Sequence, residues 1–128
     1  MSQQALEGLR MQFEKEIGVF KQLEKDREKY IENRQKLEGQ FTENTMVKQE
    51  LDLLEEDSKV FKLIGAVLVK VDLTEARSQV EKRLEYIQGE TKRVEDQMND
   101  SNDKKKVMEQ KLTRIQEDMQ KILQSGKK

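Results

Sequence analysis

Val60-Phe61-Lys62-Leu63-Ile64-Gly65-Ala66-Val67-Leu68-Val69-Lys70-Val71 is the one stretch where apolar residues run together instead of recurring at three- and four-residue spacing. The run is short, rich in β-branched residues and interrupted once, by Gly65-Ala66. It predicts a β-hairpin, with strands over about Val60–Ile64 and Val67–Val71 joined by a two-residue turn. Glycine at the first central position followed by a non-glycine suits a type II′ turn, whose twist matches the strands it joins. A short apolar run can also be a buried helical segment, and that reading competes with the hairpin.

Strict alternation points Phe61 and Leu63 one way and Val60 and Ile64 the other, so both faces carry large apolar groups. Ordering the stretch costs about 18 kcal/mol, and fully burying its eight large apolar side chains returns roughly 12–24. With one face left in water the gain halves and the hairpin loses, and an isolated hairpin is marginal in any case. This one needs a partner, and other hairpins of its own kind are the natural one. The assembly residues are Val60, Phe61, Leu63, Ile64, Gly65, Val67, Leu68 and Val69.

Composition limits what surrounds the hairpin. The 128 residues make room for one domain, but 40% are charged and only 34% hydrophobic, too little apolar material for an ordinary globular core. Proline is absent, which leaves long helices uninterrupted. Cysteine, histidine and tryptophan are absent as well, which removes disulfides, thiol chemistry, the usual zinc ligands and the usual neutral-pH base. The net charge is −1 with both signs interleaved, and Lys104-Lys105-Lys106 is too short to read as a nucleic-acid patch. The Met1-Ser2-Gln3-Gln4 start has no signal-peptide pattern, and no apolar run approaches the ~18 residues of a membrane span. The expectation is a cytoplasmic protein that binds neither nucleic acid nor membrane.

On both sides of the hairpin the apolar spacing is that of a coiled coil. Leu6, Leu9, Phe13, Phe20, Leu23, Tyr30, Leu37, Phe41 and Leu51 form a seam that skips Glu16, Arg27, Arg34, Asn44 and Lys48. Val80, Leu84, Ile87, Val94, Met98, Met108, Leu112, Ile115, Met119 and Ile122 form a second seam, with Thr91, Ser101 and Lys105 as exceptions. Helices over about 2–54 and 73–123 follow, with a short tail at 124–128. Asp72 and Glu75 resemble a capping box at the second helix start. Asn99-Asp100-Ser101-Asn102-Asp103 reads as a soft, solvated helical stretch or a local kink. The hairpin folds the chain back, so the expected fold is mainly α: two long helices in an antiparallel coiled coil, a hairpin at one end and both termini at the other.

No catalytic constellation appears, and no cofactor or metal is expected: there is no phosphate loop, no nucleophile with a base and no metal-ligand spacing. The abundant carboxylates lie among lysines on helix faces. Apolar residues near the free ends are the remaining candidates: Leu6, Leu9, Met11 and Phe13 on one helix, Ile115, Met119, Ile122 and Leu123 on the other. Two readings stand side by side. They continue the seam, or the ends splay and present an adaptable apolar surface.

The chain resembles prefoldin, and within it the β class, through Leu37-Glu38-Gly39-Gln40-Phe41-Thr42-Glu43-Asn44, Val47-Lys48-Gln49-Glu50-Leu51, the hairpin, Glu75-Ala76-Arg77 and Lys82-Arg83-Leu84-Glu85-Tyr86-Ile87. The outer coils match only as generic heptads. A single hairpin fits the β class, because α-class subunits carry two. The resemblance implies an ATP-independent chaperone heterohexamer in which this chain joins two α-class and three further β-class subunits. Hairpins would form an intersubunit β-barrel, unfolded actin and tubulin would be the clients, and the cytosolic group II chaperonin would receive them. A structural coiled-coil tether or cytoskeletal rod accounts equally for the heptads but leaves the hairpin without a purpose. An enzyme is not expected.

Overall fold

The computed structural model describes residues 2–126, Ser2 by its backbone alone. Four elements follow in order: α1 (Ser2–Leu53), β1 (Val60–Ile64), β2 (Val67–Val71) and α2 (Leu73–Ser125). By packing, the chain divides into a hairpin unit, Glu32–Glu95, and a terminal unit of residues 2–31 with 96–126 among those described.

In the hairpin unit the strands pair antiparallel in the register Val60↔Val71, Phe61↔Lys70, Lys62↔Val69, Leu63↔Leu68 and Ile64↔Val67. Gly65 has φ +60°, and no non-glycine residue among those described has a positive φ. A positive φ at the first central position alone is the type II′ signature, and only glycine adopts it without steric cost. The hairpin roots on a small core. Leu51 of α1 and Leu73 and Val80 of α2 are buried together, and Val60, Ala76 and Leu84 pack against them.

α1 ends at Leu53, one residue short of the expected boundary, in a tightened turn where Leu54 N donates to Leu51 O at 3.3 Å. Its last turn has no basic residue, and Asp52, Glu55, Glu56 and Asp57 crowd the negative end of the helix dipole. The compensating cation comes from α2. Arg77 donates from Nε (3.2 Å) and Nη2 (2.9 Å) to Leu51 O, and from Nη2 to Leu54 O at 3.0 Å. Its Nε also lies 4.0 Å from Asp52 Oδ1. At the start of α2, Glu75 N donates to Asp72 Oδ2 at 3.4 Å, the N-cap half of the expected box, and Ala76 N donates to Asp72 O at 2.9 Å.

α2 runs unbroken through Asn99–Asp103, where Lys104 Nζ pairs with Asp100 Oδ2 at 3.1 Å and Ser101 is buried. It also extends two residues beyond the expected Leu123, because nothing in Gln124-Ser125 breaks a helix. Gly126 closes it, donating its N–H to Ile122 O at 3.0 Å. Of the expected tail at 124–128, Lys127 and Lys128 lie outside the described residues.

Within each unit the two helices run antiparallel, and several of the polar seam positions meet partners. In the hairpin unit Arg34 Nη2 pairs with Glu95 Oε1 at 3.3 Å, while Asn44 donates to Gln40 O at 2.7 Å and Thr91 to Ile87 O at 2.8 Å. In the terminal unit Lys111 Nζ reaches the largely covered Glu16 carboxylate at 3.4 Å, and Lys105 Nζ sits 5.5 Å from the Phe20 ring centroid. Arg27 departs from the expected seam: it is exposed and Asp26 takes the half-buried position. With no apolar side chain at either place, nothing holds the repeat against the drift between 3.5 and 3.6 residues per turn.

Candidate assembly and client-binding surfaces

The hairpin exposes a run of large apolar side chains. Phe61, Leu63, Ile64, Val67, Leu68 and Val69 are all exposed, Leu63 and Leu68 at 66% each, while Val60 is half-buried at the root. Cross-strand pairs set this arrangement: Leu63 faces Leu68 and Ile64 faces Val67 in register, so the apolar groups of both strands gather toward the turn. With only two strands, each keeps one edge of unpaired N–H and C=O groups. Apolar faces on both sides and two open edges make a surface suited to pairing with further strands.

The candidates near the chain ends lie in the terminal unit, and they separate into two kinds. Leu6, Leu9, Phe13, Met119 and Ile122 are half-buried along the seam, and Ile115 is only 4% exposed, so it packs the helix pair instead of facing solvent. Met11 (67%) and Leu123 (50%) face outward. Two further exposed side chains, Val19 and Val107, escape a seam-based reading because they sit off the repeat. An open groove of about 600 Å³ also runs beside Phe13, Ile17, Phe20 and Leu112, with Lys21 and Glu109 among its polar lining. Ile17, next to the seam position of Glu16, was the available signal for it.

Among the described residues, no group of three or more His, Cys, Asp or Glu side chains is placed to hold a metal ion. No helix there is long and apolar enough to cross a membrane.

Comparison with known proteins assigns this geometry to a family. A prefoldin-subunit family model matches residues 14–126. The chain is 53% identical over 114 residues to a probable prefoldin subunit 6 of Caenorhabditis elegans, covering 89% of this chain and 90% of that protein. It is 47% identical over 105 residues to prefoldin subunit 6 of Homo sapiens, covering 82% and 81%. The crystal structure of the prefoldin beta subunit from Thermococcus strain KS-1 superposes with a TM-score of 0.74 at 20% identity, covering 80% of this chain and 90% of that one. That likeness carries the fold: two long helices joined by a hairpin. The chain belongs to the prefoldin family, as a non-enzymatic chaperone subunit that assembles with other prefoldin subunits.

Proposed function

We propose that this chain is one of six subunits in a cytoplasmic, ATP-independent chaperone, joining two α-class and three further β-class subunits through its hairpin. The complex captures unfolded actin- and tubulin-type chains and transfers them to the cytosolic chaperonin. The observation that carries this reading is the hairpin, which exposes large apolar side chains on both faces and two open strand edges. Pairing with neighbouring hairpins into a closed barrel covers both and removes the edges. A rod or tether needs the heptads but not the hairpin.

Client capture falls to the terminal unit. Met11 and Leu123 already face solvent there, Phe13 borders the groove, and Leu6, Leu9, Met119 and Ile122 become available where the helix ends part. Ile115 joins them only on wider opening. A non-native chain presents irregular apolar segments, and methionine and leucine side chains adapt to them at little cost.

The experiment is suppression of aggregation of denatured actin by the reconstituted complex. Replacing Leu9, Phe13, Met119 and Ile122 with Ser leaves the complex mass unchanged and weakens capture. Full suppression by the altered complex contradicts the client-site assignment.

A further inference from the structure

A hairpin that assembles with neighbours needs more surface than it owns. A stable protein interface draws on roughly 20–30 residues from each side. This hairpin offers two five-residue strands and the two turn residues between them. The remainder has to come from surface beside it.

In the hairpin unit, apolar surface continues from the hairpin onto the end of α1. Met46 (58%), Val47 (44%), Leu53 (84%) and Leu54 (38%) are exposed. Met46 and Leu53 are seven residues apart on α1, and Val47 and Leu54 follow each of them by one, so the four make two adjoining rows along the last two turns and the residue just past the helix end. Leu51, one turn after Val47, borders this side and is buried with Leu73 and Val80. Val47 also lines a shallow notch of about 150 Å³ with Leu51, Val60, Phe61, Val71 and Val80, so this one row residue joins the helix end to the hairpin. Arg83 stands beside the notch, and Glu50 falls between the two rows. An acidic group inside an apolar patch is a mark for a basic side chain opposite.

We propose that this shoulder, Met46, Val47, Leu53 and Leu54 with the adjoining notch, is a second part of the subunit interface. Its occupant is the neighbouring prefoldin subunit that pairs with the hairpin, contributing apolar side chains to the rows and the notch and a basic one to Glu50. The inference rests on the hairpin-assembly reading above, because continuity with the hairpin and the shortfall of hairpin surface point to that occupant.

The chain has no cysteine, so a single Leu53→Cys substitution takes a photo-crosslinker at one place. In the complex rebuilt from all subunits, illumination joins this chain to another prefoldin subunit, while the same probe at Lys36→Cys gives no such adduct. No adduct from position 53, or one to added unfolded actin only, overturns the proposal. A second measurement compares two double variants by the concentration at which the complex dissociates. Val47→Gln with Leu53→Gln raises that concentration roughly tenfold or more with helicity unchanged, and Ile64→Asp with Val67→Asp abolishes assembly. Unaltered dissociation of the shoulder variant, with the hairpin variant failing to assemble, overturns the shoulder alone. Normal assembly of the hairpin variant overturns the hairpin-assembly reading itself.

Discussion

The hairpin and the helix pair of the terminal unit are both built from apolar residues, yet they dispose of them in opposite ways. Along the helices, Leu, Phe, Met and Ile recur on one face and each unit buries that face against its own second helix. In the hairpin the same kinds of side chain fill both faces, and the described residues leave Leu63, Ile64, Val67 and Leu68 exposed. Apolar surface that a fold can satisfy internally becomes core. Apolar surface that it cannot satisfy, held on a fixed register by five residue pairs and a glycine turn, stays exposed, which is what the proposed assembly site requires.

The largest effect on this contrast comes from the place where the hairpin meets the helices. Leu51→Ala removes a buried side chain from the shared core and costs about 2–4 kcal/mol, read as a lower thermal midpoint by circular dichroism. The loss exceeds that of a half-buried seam leucine such as Leu23 changed to Ala. Next is Arg77→Met, which leaves the carbonyls of Leu51 and Leu54 without their donor at the end of α1 and costs about 2 kcal/mol. Hydrogen exchange then speeds in the last turn of α1 and not in the terminal unit. Gly65→Val forces a β-branched side chain into φ +60° and costs at least ~1 kcal/mol. Open space surrounds that position, so the cost is conformational and falls on the hairpin alone, and assembly weakens while helicity persists. The smallest effect belongs to the terminal unit: Lys111→Met removes a half-exposed partner from Glu16 and shifts stability by under ~1 kcal/mol, within a few degrees of the parent midpoint.

Much of this was legible before any coordinates. The switch from 3.5-residue spacing to a continuous β-branched run located the hairpin, Gly65-Ala66 identified its turn, and Asp72 marked the start of α2. These signals are local, carried by residues within one or two turns of each other. What escaped is non-local. Arg77 caps α1 from the opposite helix, twenty-three residues beyond Leu54, and only the fold-back register brings it there. The acidic crowd at Asp52 and Glu55–Asp57 was the hint that a cation was missing. Glu16 and Arg34 read as breaks in the seam until Lys111 and Glu95 are placed across from them. Near the chain ends, periodicity singled out Leu9 and Phe13 but passed over Ile17 beside the seam and the exposed Val19 and Val107, because none of the three falls on the repeat.

The most direct test of the account is the mass and membership of the complex recovered with the tagged chain, compared with the same recovery for Ile64→Asp with Val67→Asp. The account predicts a single assembly of six small subunits, this chain among two α-class and three further β-class partners, and a variant that is recovered alone with its helices intact. A homodimer from the parent chain, or a full assembly that still contains the variant, would contradict it.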